Sequence, residues 1–156
     1  MEKLQVSKEV TIAAPVGLCF DTISKQLERP TEWDRIVQHV WPDSEERGQV
    51  GTTSRALVNF GGQAFQRSVV VTKYDHNSAF SWDLIRYPGF SVNWALKPKR
   101  NGTVVSLTLS WEAPERALPR FLCKVMLGRR VASDVGGTLK QLKKTVERTN
   151  IPGSYS

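Results

Sequence analysis

The sequence predicts an α+β fold, a curved antiparallel sheet of about seven strands wrapped around a long C-terminal helix, with two short helices after the first strand. Three observations carry that prediction. Residues 117–148 hold one apolar stripe spaced by threes and fours. Ahead of them, stretches of apolar/polar alternation are separated by short turn signals. Proline-led helical stretches interrupt the alternation once, near the N-terminus. A single long helix after a run of hairpins finds its partner surface across the concave face of their sheet.

The elements follow in order. Leu4 to Ile12 alternates and runs into Ala13-Ala14-Pro15. Pro15 suits a helix start, and Val16, Cys19, Phe20 and Ile23 supply the apolar stripe of the first short helix. Arg29 to Asp34, with Pro30 near its start, reads as the second. Ile36 to Trp41 is strand-like, and a polar loop over 42–48 follows. Phe60-Gly61-Gly62-Gln63 is a two-residue hairpin signal, which sets Val58 opposite Phe65 and Ala56 opposite Arg67. The turn at 75–78 sets Val71 opposite Trp82 and Arg67 opposite Arg86. The turn at 87–89 sets Trp82 opposite Trp94, and the one at 99–102 sets Trp94 opposite Leu107. One parity keeps the large apolar residues on a single face throughout. That face begins with Val50, Lys73, Phe80, Leu96 and Val105 as its first layer. In the long helix the stripe runs through Leu118, Phe121, Leu122, Val125, Met126, Ala132, Val135, Leu139, Leu142 and Val146. Residues 1–149 read as a single domain and 150–156 as a frayed tail.

At 156 residues, 40% hydrophobic and 24% charged, the chain is long enough to bury a real core and ordinary for a soluble protein. No apolar run approaches the ~20 residues of a membrane-spanning helix. The N-terminus lacks the apolar stretch of a signal peptide, so cytoplasmic residence is expected. Cys19 and Cys123 each fall in an apolar stripe and read as buried free thiols. His39 and His76 are far apart, and nothing has metal-ligand spacing, so no metal or cofactor is expected. The net charge of +7 is spread along the chain without an aromatic-rich recognition motif, so nucleic acid is not an expected partner. Contact with an acidic membrane surface remains open, as does the choice between monomer and homodimer.

The order of elements resembles the helix-grip fold. Val10-Thr11-Ile12-Ala13-Ala14-Pro15-Val16 resembles the "strand, small residue, Ala-Pro, helix" entry of the START-like polyketide cyclase/dehydrase and lipid-transport superfamily. Pro30-Thr31-Glu32-Trp33-Asp34-Arg35-Ile36-Val37 is similar to its second helix and following strand. Val50-Gly51-Thr52-Thr53 resembles the start of its next strand, and Leu139 to Lys144 its helix ending. The resemblance covers nearly the whole chain. It implies an apolar cavity between sheet and helix that takes lipids, polyketides or other hydrophobic small molecules. Some members are enzymes, and the superfamily shares no universal catalytic set. The expected function is therefore binding of a lipid- or polyketide-like molecule, as carrier or sensor. The alternative is a polyketide cyclase/dehydrase-like enzyme.

Candidate ligand contacts follow from the concave face. Trp82, Trp94 and Trp111, with Phe65, Phe80 and Phe90, present flat apolar surface there, and Leu109 and Val125 extend it. The same rings could simply fill the core. Arg67 and Arg86 fall opposite one another on this face, an unfavourable pairing of like charges. A carboxylate or phosphate at one end of the ligand would resolve it. So would a carboxylate from Glu112 to Glu115 or from Asp134, or escape of both side chains to solvent. Gly136-Gly137 interrupts the long helix and admits three explanations: close packing, space for a ligand, or a bend. There is no Ser-His-Asp spacing, phosphate-cradling loop or paired-carboxylate motif, so the catalytic residues, if any, are unknown from sequence.

Overall fold

The computed structural model describes residues 2–45, 48–86, 89–113 and 120–150, with side chains described for 3–45, 48–86, 89–112 and 126–150. Seven strands form one antiparallel sheet: β1 Glu2–Ile12, β2 Val37–Pro42, β3 Thr53–Phe60, β4 Gln63–Asp75, β5 Ala79–Leu84, β6 Ser91–Lys99 and β7 Gly102–Ala113. Their spatial order is β1-β7-β6-β5-β4-β3-β2, so the first two strands of the chain form the two edges. Helix α1 (Val16–Ile23) follows β1, and helix α2 (Arg120–Thr149) closes the fold against β1 and β7. This is the helix-grip arrangement. The expected C-terminal tail lies outside the described residues beyond Asn150.

The second short helix comes earlier than the sequence suggests. It is a 3₁₀ turn, Ser24–Leu27, that continues α1 directly. Arg29 to Asp34 run instead as bends. Pro30 disfavours helical geometry at the residue before it, and Asp34 stabilises an open turn by accepting N–H bonds from Ile36 (2.8 Å) and Val37 (3.1 Å).

The β3–β4 hairpin has the expected register, Val58↔Phe65 and Ala56↔Arg67, with Gly61 and Gly62 both at positive φ as a tight turn of that hand requires. Two other registers differ. A bulge between Val71 and Lys73 flips the parity of β4, so Tyr74 pairs with Phe80 and joins the core while Lys73 turns outward. Between β5 and β6 the ladder is displaced by two residues: Phe80 faces Trp94, and Trp82 faces Val92. Trp94↔Leu107 and Leu96↔Val105 hold as expected. Val50 does not enter the first layer, because it sits in a turn with 63% of its surface exposed.

The core lies between the concave face and α2. Val131, Val135, Leu139, Leu142 and Val146 are the helix's buried stripe, with Thr138 buried beside them. Val131 replaces Met126 and Ala132 of the expected stripe; Met126 is 70% exposed and Ala132 only half-buried. Cys19 is a buried free thiol as expected, and Cys123 falls outside the described side chains. Close packing explains the paired glycines of α2. The Arg35 guanidinium lies over Gly137, and the Lys8 ammonium would stand 3.1 Å from a β-carbon at Gly136.

Gly128 has no such neighbour, since nothing lies within 4 Å of a β-carbon built there. Gly128→Ala should raise stability by about 1 kcal/mol through helix propensity alone. Urea denaturation would read this as a higher midpoint at unchanged slope, and a lower midpoint would contradict it.

Candidate functional site

The concave face divides into a sealed interior and an open rim. Trp82, Trp94, Phe80, Phe90, Leu109 and Trp111 are all buried, so the interior rings fill the core as the structure stands. Phe65 and Arg67 lie on the rim, and the side chain of Val125 is outside those described. His39 and His76 are both exposed on their strand and turn; His39 packs on Trp41 and His76 on Phe20.

The interior is organised by one polar side chain that sequence reasoning missed. Gln26, 1% exposed, sits three residues after Ile23 on the inward side of the helical run. Its Oε1 accepts the indole N–H groups of Trp82 (2.8 Å) and Trp94 (2.9 Å). That fixes the amide's orientation, and its Nε2 then donates to Asp34 Oδ2 at 2.9 Å. Burial pushes the Asp34 carboxyl up to about 6, against the lowering effect of the bonds from Gln26, Ile36 and Val37. Trp33 packs edge-on against Trp94 at 5.8 Å, closing the network over. The visible signals were a glutamine on an apolar stripe and an aspartate two residues before a strand.

The rim carries an open groove of about 660 Å³ between the β3–β4 hairpin and the N-terminal half of α2. Phe60, Phe65, Met126 and Leu127 give it apolar walls, and Arg67 and Arg130 stand at its edges. The hairpin reaches the helix because Gly61 has no side chain: a β-carbon there would collide with Leu127. Behind the groove wall, Phe60 packs nearly perpendicular to Phe90 (5.2 Å) and to Trp111 (5.3 Å). Phe60 is thus the ring between open groove and sealed interior.

A second cleft of about 670 Å³ adjoins the first and shares Arg67 with it; Arg55, Gln66, Ser68, Ile85 and Arg86 complete its lining. Arg67 and Arg86 are together here, but not paired across the sheet. The β4–β5 ladder stops at Val69↔Leu84, and Arg86 leaves it at a φ of 65°. The arginines therefore escape the apolar face, and both are exposed. Arg67 lies over the Phe65 ring at 5.2 Å and donates to the Gln66 carbonyl at 2.9 Å. No carboxylate among the described residues pairs with Arg55, Arg67 or Arg86. Asp134, one of the expected neutralisers, instead accepts from Asn59 Nδ2 at 3.3 Å; burial raises its pKa, and Arg130 and Arg35 lower it.

Among the described residues no three His, Cys, Asp or Glu side chains gather as a metal site, and no helix is long and apolar enough to cross a membrane.

The fold is shared with solved structures of low sequence identity. The Zhui aromatase/cyclase from Streptomyces sp. R1128 superposes with a TM-score of 0.76 at 17% identity, covering 97% of this chain and 99% of that one. A protein from Thermus thermophilus gives 0.74 at 18% identity, with 94% and 99% covered. A START superfamily protein from Mycobacterium smegmatis gives 0.72 at 17% identity, again with 94% and 99% covered. These likenesses establish the fold alone. No curated protein matches the sequence. Residues 3–147, from the first strand to the end of the long helix, match the model of one protein family. The chain belongs to the polyketide cyclase/dehydrase and lipid transport family.

Proposed function

We propose that the protein binds a hydrophobic small molecule, lipid- or polyketide-like with an anionic end, between sheet and long helix, as a carrier or sensor in the cytoplasm. Residues 1–149 act in this as one domain. The observation that carries the reading is the groove walled by Phe60, Phe65, Met126 and Leu127 and edged by Arg67 and Arg130. Met126 stands 70% exposed, and covering such a side chain is worth on the order of 1–2 kcal/mol. Arg67, with Arg86 and Arg55 in the adjoining cleft, supplies guanidinium groups free of carboxylate partners among the described residues. That is the chemistry that meets a carboxylate or phosphate.

The second reading is a polyketide cyclase/dehydrase-like enzyme, which the family description keeps in view. It needs a proton-transfer group at the ligand. The described carboxyl raised to about 6, Asp34, is committed to Gln26 and two backbone amides and lines neither groove nor cleft. Binding is therefore the better-supported reading.

Native mass spectrometry of gently purified protein, before and after exposure to dodecanoate and dodecanol, tests it. A stoichiometric adduct is expected. Arg67→Leu should weaken dodecanoate about tenfold and dodecanol little, the loss of one charged hydrogen bond. Equal weakening of both would sink the anionic anchor, and no uptake of either would sink the groove.

A further inference from the structure

Three tryptophans sit on the concave face, and their indole N–H groups are treated unequally. Those of Trp82 and Trp94 share the carbonyl oxygen of Gln26, which uses both of its lone pairs. Trp111 is equally buried, at 3% exposed, yet its Nε1 has no hydrogen-bond partner among the described residues. A buried donor left unmet is expensive, and native interiors rarely tolerate one without a reason. The nearly perpendicular Phe60 ring offers at most a π face, a much weaker acceptor than an oxygen lone pair.

Position supplies the reason. Trp111 lies directly behind Phe60, and the other side of Phe60 is a wall of the open groove. Phe60 is held by ring contacts and is only half-buried, so turning it aside removes, among the described residues, a ring that separates Trp111 from that space. We infer that Trp111 Nε1 is a ligand-binding donor: a molecule entering the groove displaces Phe60 and places a carbonyl or ether oxygen on the Trp111 indole. This rests on the groove being the binding site, and it narrows the ligand to one with an acceptor oxygen within its apolar body, separate from any anionic end.

The test uses 2-acetylnaphthalene and 2-ethylnaphthalene, which differ in a carbonyl oxygen, against the full chain labelled with ¹⁵N. The five tryptophans give five indole signals, and Trp111→Phe assigns the relevant one while keeping an aromatic ring in place. The ketone should bind about tenfold tighter than the hydrocarbon and shift the Trp111 signal most, with the signals of Trp82 and Trp94 moving little. In Trp111→Phe the tenfold preference should vanish while hydrocarbon binding persists. Equal affinity for the two compounds in the natural chain overturns the inference and leaves the groove standing. A preference that survives in Trp111→Phe does the same. Failure of both compounds to bind overturns the inference and the groove together. If Trp111→Phe does not fold, Trp82→Phe and Trp94→Phe assign their signals instead, and the affinity ratio with a shift confined to the other indoles in the natural chain decides.

Discussion

Replacing Gln26 with methionine should destabilise the protein by about 3–5 kcal/mol, a large part of the stability of a domain this size. The side chains are nearly equal in length, so lost volume contributes little. The cost lies in three polar groups that lose their partner at once. The indoles of Trp82 and Trp94 would be left as buried unpaired donors, each costing about 1–3 kcal/mol. Asp34 would lose the donor at Oδ2 while remaining half-buried. Gln26→Glu separates hydrogen bonding from shape: it can still accept both indoles but sets a second carboxyl against Asp34, so it should be strongly destabilising above pH 6 and milder below it. Urea denaturation of both variants would show this. A loss under 1 kcal/mol for the methionine variant would mean that water replaces the amide and that the network does not hold the interior together.

That network marks where the sequence stops being legible. The stripe of α2 and the alternation of the strands locate the sheet and its helix because burial imposes periods of 3.6 and 2 on the residues themselves. The Gly61-Gly62 turn also fixes the β3–β4 register, since two consecutive positive φ values demand one hairpin geometry. The β5–β6 register is not fixed in this way. A slip of two residues leaves every side chain on its own face, so pairing Trp82 with Trp94 or with Val92 is equally consistent with alternation. The bulge after Val71 is hidden for the opposite reason: it changes parity, and Lys73 beside Tyr74 gave a pattern that either parity could explain. Alternation alone sets Arg67 and Arg86 on the apolar face, where like charges would be misfits. The structure resolves them by ending the ladder before Arg86, a choice made by the backbone of the turn.

The candidate site follows the same division. Apolar rings on one face were readable, but sealed core and open rim differ by one layer of packing. Phe60, absent from the sequence-derived contacts, proves to be the ring at that boundary because the hairpin turn carries it up to Leu127. Spacing alone puts Met126 in the core stripe, yet it lines the groove and is exposed. The helix meets β1 further along, at Gly136 beside Lys8 and Lys143 beside Thr11, and its N-terminal half flanks the hairpin groove instead.

Stability should fall as pH rises from about 4 to about 6.5, by about 2–3 kcal/mol from Asp34 alone. Burial holds its carboxyl at about 6 in the folded chain, against 3.8 for an ordinary aspartate. Below pH 3.8 both folded and unfolded chains carry the proton, and this group's contribution is fully present. Between the two values the folded chain binds a proton that the unfolded chain has released, so each step up in pH favours unfolding. Above about 6 both are ionised and the effect levels off. Asp83 and Asp134, also raised by burial, act in the same direction, whereas Glu147, lowered by the Ala13 N–H, opposes them at lower pH. Asp34→Asn isolates the main contributor. Asparagine cannot titrate, and with Gln26 locked by two indoles it must either turn an NH₂ toward another NH₂ or abandon the amides of Ile36 and Val37. The variant should be less stable than the natural chain at every pH, with the deficit largest near pH 4 and shrinking toward pH 7. The ¹³C signal of the Asp34 carboxyl should titrate near pH 6 in the natural chain. A midpoint near 4, together with the same pH slope in both proteins, would show that solvent reaches Asp34 and that the carboxyl is no part of a sealed interior.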